Sequence, residues 1–157
     1  MLYESADQQV LGYLGRALSL ELTAVQQYAT QAKLVSAWGL TADARKLQEE
    51  SLEEMGHVER VITRMLALGA APNASMLRPV KLGANLRDLL LADAELERDL
   101  VHLYTQATHH CARKGDHNNR NFFEGLLQEE QAHDIALAEW IKNLESPKTS
   151  PSARVTF

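Results

Sequence analysis

The stretches "LEEMGHVER" at 52–60 and "LQEEQAHDI" at 127–135 decide how this chain folds. Each holds Glu-x-x-His, as Glu54 with His57 and Glu130 with His133. Residues three apart share one face of an α-helix, so each motif presents a carboxylate and an imidazole to one point. Working outward, both motifs lie in rows whose steps alternate between four and three. One row is Leu47, Glu50, Glu54, His57, Val61 and Arg64; the other is Leu126, Glu130, His133, Leu137, Trp140 and Leu144. Two more rows follow the same period: Leu14, Leu18, Glu21, Val25, Tyr28, Ala32, and Leu90, Asp93, Glu97, Leu100, Tyr104, Ala107. Such rows are the seams of long, packed helices. No sustained apolar/polar alternation argues for strands, and the chain reads as all-α.

Turn residues divide the rows into four helices. The first is expected from about Ser5 to Trp38, stopped by Gly39 and weakened locally by Gly12 and Gly15. Thr41 is a candidate cap for the second, which Gly69 ends. Asn85 caps the third, which stops at Gly115; Asp116 or Asn118 opens the fourth, which finishes before Pro147. The links Gly39–Thr41 and Gly115–Asn118 are short and join antiparallel neighbours. The middle link, "GAAPNASMLRPVKLGAN" at 69–85, is long and holds two prolines. A helix of 27 residues is roughly 40 Å long, and a link of this length stretches up to roughly 56 Å. It can therefore cross the whole bundle, which makes helices 2 and 3 parallel. The expected architecture is a four-helix bundle over 1–145 with one long crossover, followed by a polar, non-helical tail at 146–157 interrupted by Pro147 and Pro151.

Composition bounds the function. With 157 residues, 45% hydrophobic and 24% charged, the chain suits one domain with a real core. A net charge of −5 gives no bulk attraction to nucleic acid or to an anionic membrane. The lone Cys111 rules out an internal disulfide framework. There is no signal-peptide pattern at the start and no apolar run long enough to span a bilayer. These features together read as a soluble cytoplasmic protein.

The carboxylates repeat. Glu21 to Glu97, Tyr28 to Tyr104, Glu54 to Glu130 and His57 to His133 are each separated by 76 residues. All four glutamates sit on core-facing seams, where an unpaired ionised carboxylate costs several kcal/mol or takes up a proton. No row of buried Lys or Arg is present to neutralise four of them, whereas one or two divalent cations would. Four carboxylates and two imidazoles suit iron, manganese or similar ions better than a structural zinc site. Glu21, Glu54, His57, Glu97, Glu130 and His133 are thus the candidate ligands of a dinuclear metal site. Tyr28 and Tyr104 are placed to hydrogen-bond metal-bound carboxylates or simply to pack. His102, His109, His110 and His117 read as surface residues; Cys111, Trp38 and Trp140 read as packing.

Taken together, "LELTAVQQY" with Glu21 and Tyr28, "AWGL" at 37–40, "EEMGH" at 53–57, "AELERD" at 94–99 and "EEQAH" at 129–133 resemble the bacterioferritins, within the ferritin-like group. The resemblance covers nearly all of 5–145. It implies a ferritin-like bundle whose six ligands form a di-iron ferroxidase centre, with Glu54 and Glu130 as bridges. It implies oxidation of Fe(II) to Fe(III) by O2 or H2O2 and storage of the mineral in a homo-oligomeric shell of 24 subunits built from twofold dimers. Met55, inside "EEMGH", matches the methionine that ligates haem b between two subunits; a thioether is a suitable axial ligand for haem iron. Three positions depart from the pattern. Ala29 stands where a bulky Phe is frequent, Glu49 and Glu53 stand where an inner-surface iron site has His and Asp, and the tail lacks the usual short helical run. Two other readings use the same residues: a di-iron or di-manganese oxidase or peroxidase that stores no iron, and a haem-carrying partner subunit of a mixed shell.

Overall fold

The computed structural model describes residues 7–146. The first helix begins at Gln8 after a cap at Asp7, slightly later than the expected start near Ser5, and the tail beyond Ser146 falls outside the described residues. Four helices follow one another: α1 (Gln8–Ala37), α2 (Thr41–Ala67), α3 (Leu86–Lys114) and α4 (His117–Glu145).

Most of the ends follow the expected chemistry. Asp7 caps α1 by accepting from Gln9 N at 2.9 Å. Asn85 Oδ1 accepts from Asp88 N at 2.9 Å, while Gly115 closes α3 in the left-handed conformation at φ 68°. Of the two candidates for α4, Asp116 is the cap, accepting from Asn119 N at 3.1 Å. Thr41 does not cap α2. It is already the first helical residue, and Leu40 occupies the cap without a side-chain bond. The tight turn at Gly39, φ 81°, lets the helix begin one residue early.

Hydrogen bonds between side chains fix the directions. Tyr28 bonds Glu97, and the earlier Glu21 bonds the later Tyr104, so α1 and α3 run antiparallel. The short turn at Gly39 makes α1 and α2 antiparallel as well, so α2 and α3 are parallel, as the long crossover requires. The crossover runs extended along α1. Met76 N donates to Ser19 Oγ at 3.0 Å, Arg78 N to Thr23 Oγ1 at 3.2 Å and Lys81 N to Gln27 Oε1 at 3.3 Å. Gln31 Nε2 closes the series on Lys81 O at 3.2 Å. Ser19, Thr23, Gln27 and Gln31 are four apart, so one polar stripe of α1 takes up backbone groups that a loop would otherwise give to water. Arg78 and Lys81 also pair with Asp99 and Glu95 of α3, which seats the crossover over the α1–α3 groove. Gly83 is required there: a Cβ would lie 2.6 Å from Asp88 Cβ.

The core is divided. One apolar cluster gathers Val10, Leu14, Leu18, Val58, Val61, Leu100, Tyr104, Phe123 and Leu126; the other gathers Ala24, Tyr28, Val35, Leu47, Leu89, Leu90 and Leu137. Between them lies a polar layer containing Glu21, Glu54, Glu97 and Glu130, all fully buried. Apolar burial on both sides stabilises the bundle enough to carry this layer. Two single residues depart from expectation. Trp38 is 37% exposed at the end of α1 rather than packed. His110 is buried, with Nε2 2.5 Å from Asp7 Oδ2, rather than on the surface. Cys111 is buried and free as expected. Among the described residues, no helix is long and apolar enough to cross a membrane.

Candidate metal centre

All six expected ligands converge in the polar layer. They fall into two overlapping sets, Glu21, Glu54, His57, Glu130 and Glu54, Glu97, Glu130, His133. Within each set, one ligand atom from every residue lies within 4.8 Å of the others. Glu54 and Glu130 belong to both sets. Their two oxygens reach different histidines. Glu54 Oε2 is 3.0 Å from His57 Nδ1 and its Oε1 is 2.9 Å from His133 Nδ1. Glu130 Oε1 is 2.7 Å from His57 Nδ1 and its Oε2 is 3.6 Å from His133 Nδ1. Glu21 and Glu97 each belong to one set and lie at opposite ends. The two imidazoles are stacked, with centroids 5.7 Å apart.

The tyrosines each hold one oxygen of an end carboxylate, and Glu21 Oε1 also lies 3.5 Å from His57 Nδ1. Tyr104 donates to Glu21 Oε1 and Tyr28 to Glu97 Oε1, both at 2.6 Å. The other oxygens, Glu21 Oε2 and Glu97 Oε2, are buried without a partner, as are both oxygens of Glu130 in hydrogen-bond terms. The 2.7 Å approach of His57 to Glu130 is an ion-pair distance that lacks hydrogen-bond geometry. Buried, unpartnered carboxylate oxygens are rare and costly, and here four point into one layer. That donor set, hard oxygens with two imidazoles, fits two divalent first-row ions.

The electrostatics describe the same need. Burial pushes Glu54 up to about 8 and holds Glu130 above the usual carboxylate range. Burial and then the neighbouring Glu130 charge raise Glu97 well above it. Burial would also raise Glu21, but its bonds, led by His57, bring it below. Burial works against protonation of both histidines and is outweighed, by Glu130 first in each case. His133 is pushed up to about 12 and His57 is also raised. Both tyrosines are raised, mainly by burial, and remain donors. Without a cation, protons are what neutralise this layer.

The outer nitrogens of the histidines meet two more acids. His133 Nε2 lies 2.7 Å from Glu53 Oε2, and His57 Nε2 lies 3.4 Å from Glu129 Oε2. Arg60 pairs closely with Glu129. Glu49 is exposed. Met55 faces out of the bundle, 40% exposed, beside Leu52 at 64%. A buried polar group near the centre was not singled out by spacing. Asp93 accepts from Gln27 Nε2 at 2.7 Å, and its Oδ2 has no partner. The available signal was its own place on the Glu97 seam, one turn before Glu97.

Comparison with known proteins shows the family of this chain. Residues 11–146 match the model of the ferritin-like domain family. Bacterioferritin of Rhodobacter capsulatus is 41% identical over 127 residues, 81% of this chain and 79% of that one. Bacterioferritin of Brucella melitensis is 35% identical over the same shares. The solved Rhodobacter capsulatus bacterioferritin, described with a metal-free dinuclear site and a haem iron, superposes with a TM-score of 0.85 at 38% identity, covering 89% of this chain and 88% of that one. Bacterioferritin BfrA of Mycobacterium tuberculosis also gives 0.85, at 29% identity and coverage of 90% and 89%. The chain belongs to the bacterioferritins of the ferritin-like family.

Proposed function

We propose that this chain stores iron as an oligomeric ferroxidase, with its dinuclear centre formed by Glu21, Glu54, His57, Glu97, Glu130 and His133. Iron storage with ferroxidase activity is the function of its family. The observation that carries the residue assignment is the pair of four-residue sets sharing Glu54 and Glu130. Each set provides one imidazole and one end carboxylate for one ion, and the shared glutamates bridge. Fe(II) is the substrate, and two ions held together supply two electrons to O2 or H2O2. The residues do the rest. Tyr28 and Tyr104 each hold one oxygen of Glu97 and Glu21, which fixes the orientation of both end carboxylates. The acids attract the cation, and the flanking apolar clusters limit water at the layer.

The reading extends to a haem b bound between two copies by Met55 and the partner's Met55, in a shell of 24 subunits assembled from twofold dimers in the cytoplasm. The outward Met55 and Leu52 on α2 support it, as does the haem iron of the Rhodobacter capsulatus relative. Ala29 leaves less bulk beside such a haem than a Phe would.

Anaerobic apoprotein titrated with Fe(II) and then mixed with oxidant should show a fast phase at two irons per subunit. Glu130→Ala should lose it by more than the ~10–100-fold typical of changes outside the ligand set. A fast phase of unchanged rate in Glu130→Ala overturns the assignment. In the same preparations, Met55→Leu should lack a haem absorption band yet keep the fast phase. A mineral core that is never retained would favour the non-storing oxidase.

A further inference from the structure

We propose that Glu53 and Glu129 are positioning residues, each fixing from outside the imidazole of the opposite Glu-x-x-His motif. The proposal rests on the dinuclear reading above. A neutral imidazole carries one N–H, and a metal takes the nitrogen without it. Both histidines turn Nδ1 toward the shared glutamates, so a metal held there would take Nδ1 and leave the proton on Nε2. Glu53 on α2 receives it from His133 on α4, at 2.7 Å. Glu129 on α4 lies 3.4 Å from His57 Nε2 on α2, an ion-pair approach without hydrogen-bond geometry. The holding is crossed, because the antiparallel register that sets 53 opposite 133 also sets 57 opposite 129. Glu53 and Glu129 each precede a bridging glutamate, and they share the 76-residue offset of the ligands. The doubled glutamate in "EEMGH" and "EEQAH" therefore has a division of labour: the first holds, the second bridges.

The two holds differ. Arg60 shares the charge of Glu129, and the corresponding position in the other half is Ala136. Glu53 is both nearer to its histidine and free of that competition, so His133 is held more firmly than His57. An outer carboxylate that orients a ligand histidine is worth ~10–100-fold in metal affinity.

Anaerobic Co(II) titration, followed by its visible absorption, separates the outcomes without any turnover. Wild type should take two Co(II) per subunit. Glu53→Ala should weaken one of the two by ~10–100-fold and leave the other, with an unchanged melting temperature. Glu53→Gln, whose carbonyl still accepts an N–H, should recover most of that loss. Glu129→Ala should weaken the other equivalent by less. Two equivalents of wild-type affinity in both alanine variants overturn the proposal. So does loss of both equivalents with a lowered melting temperature, which marks a structural role. So does loss of a third equivalent alone, which would make Glu53 a ligand with Glu50 and His133. Fewer than two equivalents in wild type would instead defeat the dinuclear reading itself.

Discussion

At the scale of the residue, Asp93 is a buried acid that belongs to neither ligand set. It is fully buried one turn before Glu97, and burial pushes it up to about 7 against the bonds from Gln27 and Gln31. Its Oδ2 and the Oε1 of Gln31 are both without partners. A carboxyl whose folded-state value is raised binds its proton more tightly in the folded chain. Between pH 4 and pH 7 the folded state therefore holds more protons than the unfolded one, and stability falls as pH rises through that window. Asn in its place keeps an oxygen for Gln27 and has no charge to bury. Asp93→Asn should stabilise the protein by roughly 1–3 kcal/mol at pH 8 and by little at pH 4. Unfolding measured at the two pH values checks this; an equal effect at both would mean that charge burial is not the cause.

At the scale of the element, the crossover shows what a sequence can and cannot reveal. The helices were legible because a 3.6-residue period repeats along each of them, and Gly39, Asn85 and Gly115 punctuate them. The six ligands were legible because acids on apolar seams are costly, and the offset of 76 tied them together. The crossover has no period. Its length showed that it could cross the bundle, but not that Met76, Arg78 and Lys81 would bond Ser19, Thr23 and Gln27. Gln27 and Gln31 read as ordinary polar positions until their partner from a distant segment is in place. His110 was unreadable for the same reason, since its burial depends on Asp7, far away in the chain. The α1 stripe predicts unequal costs. Met76 N and Ser19 are bonded at the exposed end, where water can replace the hydroxyl, so Ser19→Ala should change stability by no more than ~0.5 kcal/mol. Gln27 is buried and serves Lys81 N and Asp93 at once. Gln27→Leu should cost ~1–3 kcal/mol for each group left unpaired. It should also speed hydrogen exchange at the Lys81 amide. Equal stability of the two variants would remove the crossover clamp.

At the scale of the whole molecule, the divided core makes metal and fold one equilibrium. Two apolar clusters hold the helices together, and the layer between them opposes them until its charges are neutralised. In the metal-free state protons do this, with His57 and His133 charged and Glu54 at about 8. A divalent cation must displace those protons, so binding releases them and affinity rises with pH. The cation binds the folded layer and not the dispersed ligands of the unfolded chain. At a free concentration of ~100 times Kd, that linkage stabilises by ~2.7 kcal/mol per site. For a domain of this size, each kcal/mol is worth ~2–4 °C. Chelator-stripped protein should therefore melt at least roughly 5 °C below Co(II)-loaded protein. The gap should widen from pH 6 to pH 8 and shrink in Glu130→Ala. Differential scanning calorimetry of the three states checks it. A gap that ignores pH would mean that the ion binds groups that carry no displaceable protons, and hence not this layer.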